Sequence, residues 1–132
     1  MKEALILVVD DDPAILTTLA EFLDMEGYQV ATATNGREAL GLVEDMDPAL
    51  VLLDMRMPVL DGWGFARVLR ERGRRLPILV MTAARDARVW AEEIDAAGYL
   101  AKPFDLTELL SAVERLWKGG GQGYRAENRC PQ

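Results

Sequence analysis

The chain has 132 residues and a net charge of −7, with half of its residues apolar, 28% charged and 7% aromatic; this is the composition of one globular domain, and its acidity disfavours nucleic acid and anionic membranes as partners. Histidine is absent, so an imidazole base, a His-ligated zinc or a histidine phosphate carrier must come from another molecule. The single cysteine, Cys130, permits no intrachain disulfide and fits a reducing compartment.

Leu5 to Val9 (LILVV) is a continuous apolar run and predicts a buried strand. Met-Lys-Glu-Ala leads straight into it without a leader-like segment, and no apolar run approaches the roughly 20 residues of a membrane span, so a cytoplasmic location is expected. From Pro13 the positions Ile15, Leu16, Leu19, Phe22 and Leu23 fall at helical spacing, with Asp12 as N-cap, Pro13 in the first turn and Gly27 as the stop. Tyr28 to Ala33 reads as the second strand, and Asn35-Gly36 turns into a helix carrying Ala39, Leu40 and Val43. Leu50 to Leu53 is the third strand and runs into Asp54. Asp61-Gly62 opens a helix with Phe65, Val68 and Leu69 that ends near Gly73. Pro77 to Met81 is strand four, followed by Thr82; Ala84 to Ala97 is helical, Tyr99 to Ala101 is a fifth strand, and Asp105 caps a last helix bearing Leu106, Leu109, Leu110, Val113 and Leu116. Strict alternation of apolar strands and helices predicts one doubly wound α/β domain over residues 1–118. The Gly-rich stretch that follows, 119–132, reads as a flexible tail or the start of a linker.

In an open parallel sheet, ligands sit beyond the carboxyl ends of the strands. Those ends carry Asp10, Asp11 and Asp12 after strand one, Asp54 at strand three, Thr82 at strand four and Lys102-Pro103 after strand five. Carboxylates gathered there repel by about 4 kcal/mol per pair at ~4 Å and an effective dielectric of ~20. A positive partner is required: Lys102 supplies one charge and a hard divalent cation the rest, magnesium being favoured because it accepts one or two carboxylates and accompanies phosphate. A carboxylate can also act as nucleophile toward a phosphoryl group, with lysine, metal and hydroxyl positioning its oxygens.

The strings VVDDDP at 8–13, DMRMP at 54–58, DG at 61–62, MTA at 81–83 and YLAKPF at 99–104 together resemble the CheY-like receiver domain of bacterial two-component response regulators, over about residues 4–117. The resemblance implies a flavodoxin-like sheet of order 2-1-3-4-5 with five helices. It also implies that Asp54 is the phosphoacceptor, and that Asp10, Asp11, Asp54 and the backbone carbonyl of Arg56 hold Mg2+. Lys102 pairs with the phosphoryl group, Pro103 follows through a bond that is often cis, and Thr82 with Tyr99 forms the switch pair. Ala83 is small, as access to the acceptor demands, and Arg56 and Ala84 stand where members of the family tune dephosphorylation. The implied partners are a sensor histidine kinase or histidine phosphotransfer protein, and a downstream protein, the chain's own output domain or a second copy bound at the α4-β5-α5 face. Direct nucleic acid or membrane binding by this domain is not expected.

The helix before strand five departs from the family, ending in Asp95-Ala96 where Gly-Ala is usual, and the Thr82–Lys102 segment is slightly short. Taken singly, the same residues have plainer readings: the aspartate run as a helix cap, Asp54 as a turn residue, Thr82 as a β-branched strand residue, and Trp63, Trp90 and Trp117 as packing or partner contacts. The signalling chain is expected to catalyse only its own phosphorylation and dephosphorylation, either alone or as the receiver of a longer regulator whose output domain, for example a DNA-binding module, follows the tail. A haloacid-dehalogenase-type phosphatase also forms an aspartyl phosphate but places a second aspartate two residues on, where this chain has Arg56.

Overall fold

Strands β1 (Leu5–Val9), β2 (Gln29–Ala33), β3 (Leu50–Asp54), β4 (Ile78–Ala83) and β5 (Gly98–Lys102) form one parallel sheet in the order β2-β1-β3-β4-β5. The computed structural model describes residues 5–117, so the expected tail at 119–132, with Cys130, lies outside the described residues. Helices α1 (Pro13–Met25), α2 (Gly36–Met46), α3 (Gly62–Glu71), α4 (Ala87–Glu93) and α5 (Leu106–Leu116) alternate with the strands. Order and alternation are as expected.

Successive strand residues point to opposite faces, and here both faces are covered. Leu7, Val9, Val51, Leu53 and Val80 pack on one side with Phe65, Leu69 and Ile94. Ile6, Val8, Leu50, Leu52, Leu79 and Met81 pack on the other with Leu19, Leu23, Leu109 and Val113. This explains why β1, β3 and the start of β4 read as unbroken apolar runs: each such side chain contributes about 1.5–3 kcal/mol on burial, whichever face it lines.

Four helices begin at side-chain caps, two of which, Asp12 and Asp105, were expected as caps, while Asn35 and Asp61 were expected only at the helix starts. Asp12 accepts from the Ala14 N–H at 2.9 Å, Asn35 from Glu38 at 2.9 Å, and Asp61 from Gly64 at 2.9 Å. Asp105 accepts from Glu108 at 2.8 Å, and the Glu108 carboxylate accepts in return from the Asp105 N–H at 3.1 Å, a reciprocal capping box.

The principal correction falls on the segment expected to be one helix from Ala84 to Ala97. It is a 3-10 turn (Ala84–Asp86) followed by a seven-residue α4. The cause is a left-handed residue, Asp95 at φ 57°, which closes the helix: its N–H donates to the Glu92 carbonyl at 3.2 Å and that of Ala96 to Ala91 at 2.8 Å. The same closure ends α1 at Gly27 (φ 98°) and α3 at Gly73 (φ 71°). Asp95 therefore occupies a position where α1 and α3 use glycine, while α2 also ends on a left-handed aspartate, Asp47 at φ 53°. Smaller shifts lengthen β4 through Thr82 to Ala83 and β5 to Gly98–Lys102, because Thr82 pairs with Ala101 and Ala83 with Lys102.

Because Asp95 is exposed and holds a conformation that costs a residue with a Cβ about 1–2 kcal/mol, Asp95→Gly is expected to stabilise the fold by a net ~0.5–1 kcal/mol after the added freedom of the unfolded chain is subtracted. Urea unfolding checks this as a higher midpoint at unchanged slope.

Candidate functional site

Register brings the strand ends together. Val9 pairs with Leu53, so Asp10 and Asp54 emerge side by side, and Asp54 pairs with Met81, the residue before Thr82. Ala83 pairs with Lys102 at the end of β5. Carboxylate oxygens of Asp10, Asp11 and Asp54 lie within 4.8 Å of one another. Lys102 Nζ donates to Asp10 Oδ2 at 2.8 Å and stands 3.8 Å from Asp54 Oδ2. Asp10 Oδ1 accepts from the Asp12 N–H at 2.9 Å, so both of its oxygens are engaged. Asp10 is 1% exposed, Asp54 7% and Thr82 2%, whereas Asp11 faces solvent.

One ammonium group balances three carboxylates. Burial, and then the charge of Asp10, push Asp54 from its ordinary 3.8 up to about 6, although Lys102 and a hydrogen bond from the Arg56 backbone pull the other way. Three hard oxygen donors within reach of one point, with surplus negative charge, fit a small divalent cation. Asp12 takes no part in this cluster; its carboxylate is used as the cap of α1.

The loop between β3 and α3 is held close to Asp54. The Gly62 N–H donates to the Met55 carbonyl at 3.0 Å, and a Cβ on Gly62 would fall 2.5 Å from Met55 Sδ and 2.8 Å from Met55 Cα. Only glycine lets α3 start against the residue that follows Asp54. The Lys102–Pro103 bond is cis. Tyr99, paired with Val80 on the neighbouring strand, is 44% exposed.

One arrangement was not read from the sequence. The Arg56 guanidinium lies over the Trp90 ring, 5.2 Å from its centroid, and Trp90 meets Trp63 edge to face at 4.9 Å and 65°. Trp63 Nε1 in turn donates to Glu93 Oε1 at 2.8 Å. Residues 56, 63 and 90 lie on separate elements, so no local spacing announces the contact, and the tryptophans were expected as packing or partner contacts.

The family model for the response regulator receiver domain matches residues 6–114. The chain belongs to the response regulator receiver family. This receiver domain is 48% identical over 114 residues to response regulator MprA of Mycolicibacterium vanbaalenii, covering 84% of the chain and 49% of that protein. It is 41% identical over 118 residues to transcriptional regulatory protein PrrA of Mycobacterium tuberculosis, covering 88% and 51%. The chain thus spans about half the length of the curated relatives it matches. Among solved structures, response regulator TrrA of Thermotoga maritima, in complex with Mg2+-BeF, superposes with a TM-score of 0.77 at 38% identity over 88% of this chain and 99% of that one. Chemotaxis protein CheY4 of Vibrio cholerae gives a TM-score of 0.78 at 31% identity over 86% and 98%. Receiver domains of this kind work with histidine kinases and output domains as signalling modules. Among the described residues no helix is long and apolar enough to cross a membrane.

The raised pKa of Asp54 means that the folded receiver domain binds its proton more tightly than the unfolded chain, so stability falls as pH rises from about 4 to about 6 and the cost is then constant. Asp54→Asn is expected to raise stability by about 1–3 kcal/mol at pH 7.5, with the gain vanishing below pH ~4. Thermal melts of both proteins across this range, without divalent cations, check the prediction.

Proposed function

We propose that Asp54 is the phosphoacceptor of this receiver domain and takes the phosphoryl group of a phosphohistidine on a sensor histidine kinase or histidine phosphotransfer protein. The observation that carries this reading is a buried carboxylate, Asp54, set beside two further carboxylates and one lysine at the carboxyl edge of the sheet. A carboxylate oxygen of Asp54 attacks phosphorus, the P–N bond to the donor imidazole breaks, and the departing nitrogen takes up a proton. The absence of histidine from the chain is consistent with an imidazole that the partner supplies.

Asp10, Asp11, Asp54 and the backbone carbonyl of Arg56 would hold Mg2+, which when bound neutralises charge on the transferring oxygens. Lys102, already 3.8 Å from Asp54, pairs with a phosphoryl oxygen, and the Thr82 hydroxyl donates to another. An apolar groove of about 790 Å³ beside Lys102, lined among others by Ile15, Leu19, Pro103 and Phe104, offers the donor protein a seat against α1 and the start of α5.

Switching follows as a population shift. Thr82 is buried and Tyr99 half out of the sheet, so drawing Thr82 toward a phosphoryl group opens space into which the Tyr99 ring turns. The α4-β5-α5 face then changes shape for a downstream protein, an attached output domain or a second copy. The chain catalyses only its own phosphorylation and dephosphorylation. Because it covers about half of MprA and PrrA, the reading as the receiver of a longer regulator, with 119–132 as the start of its linker, gains support. A net charge of −7 leaves nucleic acid contact to such an output domain, in the cytoplasm.

Incubation with acetyl phosphate and Mg2+ is expected to add one phosphoryl group to the wild type by intact mass and none to Asp54→Ala; a chelator should abolish the addition. Labelling of Asp54→Ala equal to wild type would overturn the assignment.

A further inference from the structure

We propose that Trp90 is a positioning residue of the acceptor site: its ring holds the Arg56 guanidinium on the α4 side, and an anion arriving at Asp54 must draw it away. This inference rests on Asp54 being the phosphoacceptor. Arg56 is placed to serve either partner, because it stands two residues after Asp54 in the acceptor loop while its guanidinium lies 5.2 Å from the Trp90 centroid. Among the described residues no carboxylate forms an ion pair with this guanidinium. The ring that receives it is itself fixed: Trp63 packs edge-on against Trp90 at 4.9 Å, and the Trp63 indole is tied to Glu93, the last residue of α4, at 2.8 Å. Four side chains from the acceptor loop, α3 and α4 thus form one continuous linkage.

An exposed cation such as Arg56 over a half-buried indole gains a factor of about two to five in an equilibrium constant. A guanidinium gains more from two charge-assisted hydrogen bonds to phosphoryl oxygens, so the anion wins the competition, but its apparent affinity is lowered by the factor that the stack contributes. Linkage is reciprocal: an occupied acceptor site releases Arg56 and removes one of the ties that hold the short α4 to the acceptor loop.

The test is calorimetric titration of beryllium fluoride, with Mg2+ present, into wild type, Trp90→Ala, Trp90→Leu, Trp90→Phe, Arg56→Ala and the double variant Arg56→Ala/Trp90→Ala. Removing the π face in Trp90→Ala should tighten binding about two- to fivefold, with Trp90→Phe between it and wild type. In the Arg56→Ala background the Trp90 substitution should have no further effect. Trp90→Leu keeps apolar bulk without a π face and gives the same answer if the alanine variant does not fold. An unchanged or weakened affinity, or a tightening that persists without Arg56, would overturn the proposal, since Trp90 would then act only through the packing of α4. Failure of wild type to bind the anion would remove the phosphoacceptor reading together with this one. Wild-type binding whose affinity is indifferent to the Arg56–Trp90 pair would remove this one alone.

Discussion

Three carboxylates at one sheet edge share a single ammonium group, and the rest of the fold is arranged around that imbalance. Asp10 is almost fully buried and both its oxygens are engaged, by Lys102 and by the Asp12 backbone, so it cannot relax away from Asp54. Asp54, with the lysine at 3.8 Å and a second carboxylate beside it, carries the unbalanced share and is the group whose proton affinity rises. Charge that cannot be neutralised internally makes the site receptive to a small cation and to the chemistry a cation permits.

The two cores keep this arrangement from collapsing. Asp10 and Asp54 extend directly from β1 and β3, whose residues are buried throughout, so separating the carboxylates would require moving strands packed on both faces. Close-packed interiors transmit such displacements rather than absorb them. The connecting segments carry the local strain instead: Val59, in the loop after the acceptor, holds φ 70°, a conformation that is costly for a β-branched residue. On the opposite flank β5 is only partly buried, and α4 is short and stopped by a left-handed aspartate. Rigidity on one side of Asp54 and looseness on the other give a local charge event a direction in which to act.

Most of the architecture was legible in the sequence because its signals are local. Continuous apolar runs mark strands covered on both faces, and the aspartates and asparagine before α1, α2, α3 and α5 mark helix starts whether or not the tertiary fold is known. The segment from Ala84 to Ala97 was misjudged because Asp95, unlike the glycine usual at its position, does not by itself mark a left-handed stop; that conformation accompanies the return to β5, where the Ala97 N–H reaches the Ile78 carbonyl at 2.9 Å.

The sequence by itself determined the chemical types at the site: acidic groups after two apolar strands, a hydroxyl after a third, a lysine after the last, and no histidine. Tertiary structure decided what those groups do to one another. Parallel register set the oxygens of Asp10, Asp11 and Asp54 within 4.8 Å, gave Lys102 chiefly to Asp10, and left Asp12 to cap a helix. It also set Arg56 over Trp90 and Trp90 against Trp63, joining three elements. Residue type is a property of the chain, whereas electrostatic energy depends on distances and burial that exist only once the strands are side by side.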